Sequence, residues 1–123
     1  MNSSAPQDLR TRTMDFALQV IKLYGSLPKT TEAQVLGKQV LRSGTSVGAN
    51  YREGHRAKSD ADIINKFETV LQELDETDYW LSLLVKSSFL SSKIADPLIK
   101  ETNELIAIFT AIVVKIKKRN GKI

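Results

Sequence analysis

Ser59-Asp-Ala-Asp-Ile63-Ile-Asn-Lys-Phe67-Glu-Thr-Val70-Leu-Gln-Glu-Leu74-Asp-Glu-Thr77-Asp-Tyr-Trp-Leu81-Ser-Leu-Leu84 is the most regular stretch of the chain. Ile63, Phe67, Val70, Leu74, Thr77, Leu81 and Leu84 recur at threes and fours, the spacing that lines one face of a helix turning about 100° per residue. Ser59 suits the N-cap, and Asp60 and Asp62 fall in the first turn, where carboxylates meet the positive end of the helix dipole. The spacing predicts a helix over 60–87.

Working outward, the same period recurs on both sides. A segment over 32–55 opens on Thr31-Glu-Ala-Gln34, read as a capping box, and its inner stripe is Leu36, Val40, Ser43, Gly44, Val47 and Tyr51. Its glycines, Gly44, Gly48 and Gly54, each weaken a helix by about 1 kcal/mol relative to alanine. Gly44 and Gly48 stand on adjacent turns, where a neighbouring helix could approach closely, and Gly54 is a candidate terminator. A segment over 9–26 carries Leu9, Phe16, Val20, Leu23, Tyr24 and Leu27 and is ended by Gly25 and Pro28. A segment over 96–119 starts at Asp96-Pro97, read as a cap and a first-turn proline, and carries Leu98, Leu105, Phe109, Ile112 and Ile116. No run alternates with period two. Short connections between helical segments favour antiparallel neighbours, so the chain is expected to be all-α: one domain over 1–123, an antiparallel up-down-up-down four-helix bundle.

The 123 residues are 41% hydrophobic and 26% charged, an ordinary globular composition. There is no cysteine, which excludes a disulfide framework, a thiolate zinc site and a cysteine nucleophile. His55 is the single histidine, and no Glu-x-x-His occurs, so the carboxylate–histidine pattern of a di-iron bundle is missing. No nucleophile turn, no phosphate-binding glycine loop and no Arg placed four to six residues before His55 is present. The expectation is a non-enzymatic protein with no metal and no cofactor. The polar start, Met1 to Asp8, has no signal-peptide pattern, and the most apolar run, Leu105 to Val114, is short of the roughly 20 residues that span a bilayer. A cytoplasmic protein with no membrane partner is expected.

Charge is distributed unevenly. From Asp60 to Tyr79 there are seven acids against one base, so this segment carries −6 and, with a net +4, the rest carries +10. Lys38, Arg42, Arg52 and Arg56 fall within about 80° of one another on the outer side of their helix. Lys58 and a tail of Lys115, Lys117, Lys118, Arg119 and Lys122 add to them. Such a row can track phosphates of RNA or DNA with little sequence preference, since no aromatic residues are interleaved for base stacking. The same row could instead face the acidic third segment of a neighbouring subunit.

Apolar residues also exceed what one core stripe needs. Tyr79 and Leu83 lie roughly opposite the stripe of the third segment, with Trp80 at its flank. Ala107, Ala111 and Val114 lie behind the stripe of the fourth. A helix apolar on every side is usually buried on every side, which predicts a homo-oligomer with these residues at its interface.

The run Arg42-Ser-Gly-Thr-Ser-Val-Gly-Ala-Asn50-Tyr-Arg-Glu53-Gly-His-Arg-Ala-Lys-Ser59 resembles the signature of a bacterial family of four-helix bundles related to the ribosomal-RNA intervening-sequence proteins. Arg42, Ser46, Asn50, Glu53 and Ser59 fall in register, and Phe67…Glu73-Leu-x-Glu-Thr77-x-Tyr79-Trp80-Leu81 is similar to the third-helix pattern of one branch. The resemblance implies a ring-like homo-oligomer, a homopentamer, without enzymatic activity. Its relatives include the nucleic-acid-binding accessory protein of diversity-generating retroelements, so a reverse transcriptase or a ribosomal component is implied as a possible partner. Ser46, Asn50, Glu53 and Ser59 are expected to be structural, with Asn50 bonding a neighbouring helix. Two functions stay open: a non-specific RNA- or DNA-binding accessory protein, and an oligomeric scaffold for a protein partner.

Overall fold

The computed structural model describes residues 8–121, which form α1 (Leu9–Gly25), α2 (Thr31–His55), α3 (Asp60–Lys86) and α4 (Ser92–Arg119). Among the described residues there is no strand. Connections at 26–30, 56–59 and 87–91 reverse the chain each time. Pairings across the seams run antiparallel. Tyr24 meets Gln34 between α1 and α2, Arg42 meets Glu73 and Lys66 meets Glu53 between α2 and α3, and Lys117 meets Glu68 and Arg119 meets Asp60 between α3 and α4. The α2–α3 seam is the most extensive, and α1 and α4 touch most sparingly.

Each helix starts on a side chain that accepts an orphan backbone N–H. Asp8 takes Thr11 N at 2.9 Å, Thr30 takes Ala33 N at 3.3 Å, Ser59 takes Asp62 N at 3.1 Å and Ser91 takes Ile94 N at 3.3 Å. Two of these differ from the sequence expectation. The cap of α2 is Thr30, one residue earlier than Thr31, and Gln34 does not reach back to it. Its Nε2 donates to Pro28 O at 2.8 Å and its Oε1 accepts from Tyr24 OH at 2.8 Å, which ties the α1–α2 turn together. The fourth helix starts at Ser92 rather than at residue 96. Ser91 supplies the cap, and the added turn buries Ala95 completely against the core. Pro97 therefore stands inside the helix, where it has no N–H to give the carbonyl of Lys93 one turn back.

The core runs the length of the bundle. Phe16, Val20 and Leu23 of α1, Val40 and Val47 of α2, Val70, Leu74, Leu81 and Leu84 of α3 and Leu98, Leu105 and Phe109 of α4 are buried in one continuous cluster. Three stripe positions are shifted by one residue: Gly37 rather than Leu36, Ile64 rather than Ile63 and Val113 rather than Ile112 are buried. Ile63 and Ile112 still pack on the core's edge, because an apolar face wider than about 100° leaves its central row to be chosen by the partner helix. Ser43 and Thr77, both fully buried, share a 2.8 Å hydrogen bond across α2 and α3, and Thr77 also donates to Glu73 O at 2.8 Å.

The glycines of α2 allow that packing. A Cβ on Gly44 would stand 2.7 Å from Val20 Cγ2, so α1 can approach only because none is there. Gly54 does not end the helix, which continues to His55. It makes room for Phe67, whose ring would lie 2.5 Å from a Cβ at this position. Phe67 stacks on Tyr51 at 5.9 Å and meets Phe109 edge-on at 5.3 Å, so three helices join through rings at this end.

Candidate nucleic-acid interface

Arg42, Ser46, Asn50 and Glu53 recur at fours and threes along α2, which aligns them in one stripe beside α3. Arg42 donates to Glu73 at 3.2 Å and also to Glu76. Burial works against its charge, but the bonds to Glu76 and Glu73 outweigh it and hold its pKa above the ordinary arginine value. Ser46 Oγ donates to Arg42 O at 2.7 Å, and Glu53 accepts from Lys66 at 2.8 Å. Asn50 Nδ2 donates to Ser46 O at 2.9 Å, so Asn50 bonds its own helix and not a neighbouring one. At four residues' spacing on a half-buried face, the preceding-turn carbonyl is the nearest acceptor. Ser59 caps α3. All five signature residues thus have partners inside the chain.

The basic ridge of α2 divides. Arg42 leans toward α3 and is held there. Arg52 leans the other way and lines a groove against α1 with Arg10. Lys38 is exposed, about 21 Å along the helix from Arg52. The tail divides too. Lys117 pairs with Glu68 at 3.0 Å, and Arg119 pairs with Asp60 at 2.6 Å, which raises the Arg119 pKa. Lys118 is exposed, and Lys122 lies outside the described residues. Arg52, Arg56 and Lys58 nevertheless stand at the same end of the bundle as Lys115 and Lys118, because antiparallel packing carries the C-terminus of α4 onto the N-terminus of α3. Arg10 joins them from the first turns of α1. No local feature of the sequence marked it, since it belongs to this end only through the fold.

Tyr79 is 58% exposed, Val114 is 36% exposed, and Ala107 and Ala111 also face outward. Trp80 and Leu83 are half-buried, and Trp80 packs on the core's edge. A further apolar row was not anticipated: Met14, Leu18 and Ile21 of α1 are all exposed, Leu18 at 56%. Their spacing at four and three was present in the sequence, but it lies on the helix face turned away from the core stripe. Arg12, also not anticipated, forks onto Glu101 with two 2.7 Å bonds and reaches Glu104 at 2.8 Å, joining α1 to α4.

His55 stacks on Tyr51 at 5.6 Å, and Glu73 and Glu76 are occupied by Arg42. Among the described residues no group of histidine and carboxylate side chains could hold a metal, and no helix is long and apolar enough to cross a membrane.

An all-α bundle whose distinguishing chemistry is a polar α2–α3 seam, one cationic end and uncovered apolar rows defines the class. The chain belongs to the 23S rRNA-intervening sequence protein family, whose model matches residues 7–111. It is also similar to a protein of unknown function from the S23 ribosomal protein family of Bacteroides thetaiotaomicron, known from a crystal structure at 1.70 Å resolution. The two are 35% identical, the match covers 86% of this chain and 98% of that one, and the TM-score is 0.81. No curated protein matches significantly.

Proposed function

We propose that the chain is a non-enzymatic, self-associating accessory protein that binds RNA or DNA through the cationic end of the bundle. One observation carries this reading: Arg56 and Lys58 after α2 and Lys115 and Lys118 at the end of α4, two groups far apart in the chain, stand at one end of the bundle. There Asp60 and Glu53 are already neutralised by Arg119 and Lys66. The family description, a protein of a 23S rRNA intervening sequence, supports RNA as the polyanion. With phosphates neutralised by lysine and arginine, affinity for a structured RNA falls steeply as salt rises. Fluorescence anisotropy across a salt series tests this. Arg56→Glu with Lys118→Glu is expected to weaken binding at least tenfold and flatten the salt slope, while Lys38→Glu, far from that end, changes little. No binding at about 50 mM salt by the wild-type chain sinks the proposal.

A second reading is favoured by the acidic α3, which holds Arg42, Lys117 and Arg119. Here the assembly is a scaffold for a protein partner, such as a ribosomal component or a reverse transcriptase, and Arg56→Glu with Lys118→Glu leaves RNA unaffected. Both readings are those of a cytoplasmic protein.

A further inference from the structure

Two surfaces on different faces of the protomer complement each other. Between α1 and α2 runs a groove of about 280 Å³, lined mainly by Met14, Ala17, Gly48 and Ala49 together with Arg10 and Arg52. On α3, Tyr79 projects from a shallow surface that it shares with Asp75, Asp78 and Trp80. Among the described residues neither Arg10 nor Arg52 is in an ion pair, and neither Asp75 nor Asp78 is. One surface is therefore an apolar recess with two unpaired cations, and the other is an aromatic knob with two unpaired carboxylates.

We infer that the α1–α2 groove of one protomer receives Tyr79 of a second copy of this chain, with Arg10 and Arg52 facing the second copy's Asp75 and Asp78. The occupant is specified by chemistry. A polyanion would meet the two arginines but would leave the adjoining row of Met14, Leu18 and Ile21 uncovered, and Tyr79 would stay exposed. A second copy covers both and satisfies all four charges. An aromatic anchor in a recess ringed by complementary charge is the usual centre of an interface. Because donor and acceptor are different patches of one chain, the contact is head-to-tail, and repetition leads to a closed ring or an open filament. The inference rests on the self-association included in the proposed function and not on nucleic-acid binding. It assigns Arg52 to the contact and leaves Arg56, Lys58 and Lys118 for phosphates.

Sedimentation velocity on the full chain tests it, with circular dichroism confirming that each variant is helical. Arg10→Asp/Arg52→Asp and Asp75→Arg/Asp78→Arg are each expected to weaken self-association at least tenfold and shift the population toward the 13.7 kDa monomer. Combining all four substitutions restores the wild-type assembly, because every contact then pairs reversed charges. Tyr79→Ala weakens assembly without changing any charge. The inference is overturned if the charge-reversed chains assemble like wild type, or if the fourfold variant stays as dissociated as its parents. A monomeric wild-type chain overturns both this contact and the self-association of the proposed function. The salt dependence of RNA binding then still decides the nucleic-acid reading on its own.

Discussion

Val20 presses on Gly44 so closely that one methyl group decides whether α1 can lie where it does. Gly44→Ala gains about 1 kcal/mol of helix propensity but overpacks a buried contact, at a cost of about 1–3 kcal/mol. A net loss of about 1 kcal/mol is expected in urea denaturation, whereas Gly25→Ala, where a Cβ would meet nothing within 4 Å, should cause no such loss. At the start of α1, the Asp8 carboxylate accepts from the Thr11 backbone N–H, and this bond, with smaller help from the Thr11 hydroxyl and Arg10, draws its pKa below the ordinary 3.8. A lowered pKa in the folded state means that the cap's contribution is fully present above the unfolded value and is lost as pH falls through the folded one. Hydrogen exchange at the Thr11 amide should therefore lose protection below about pH 4, and Asp8→Asn should remove that pH dependence.

Helix ends carry the next level of control. Beyond α3, Ser88 has φ 65°, the left-handed conformation that favours glycine. Its N–H bonds Val85 O at 3.0 Å and the N–H of Phe89 bonds Leu84 O at 3.0 Å, so the α3–α4 turn is a Schellman motif with serine in glycine's position. Ser88→Gly relieves that strain and is expected to stabilise the protein by about 1 kcal/mol, read as a raised denaturation midpoint with an unchanged slope. A lowered midpoint would mean that the serine side chain contributes more than its backbone strain takes away. The start of α4 makes a related point. Asp96-Pro97 has the form of a helix start, yet Ser91 caps the helix a full turn earlier, since that turn buries Ala95. Tertiary burial outweighs a local proline preference.

Across the whole molecule, cohesion is uneven. The α2–α3 seam has buried apolar contacts, the Ser43–Thr77 bond and two ion-pair groups, whereas α1 and α4 meet over little surface and are joined mainly by Arg12 on Glu101 and Glu104. Those carboxylates raise the Arg12 pKa, first through the hydrogen bonds to Glu101. Arg12→Ala is expected to lower stability by about 1 kcal/mol, the scale of a well-formed, partly exposed ion-pair network. It should also speed hydrogen exchange along α1 more than along α2 or α3. Equal acceleration in all four helices would mean that α1 does not open separately.

Composition and period alone determined that this chain is four helices in an antiparallel bundle, and they identified most core residues, from Phe16 and Val20 to Leu105 and Phe109. That much is local physics: a stripe at helical spacing has to be buried, and short connections leave few ways to bury it. Charge could be counted in the sequence but its partners could not. Arg42, Lys117 and Arg119 read as outward cations, yet carboxylates distant in the chain neutralise them. Arg10 joins Arg52 only because α1 and α2 lie side by side. An ion pair forms where two helices bring opposite charges within a few ångströms, and that distance is set by packing, which only the tertiary structure decided.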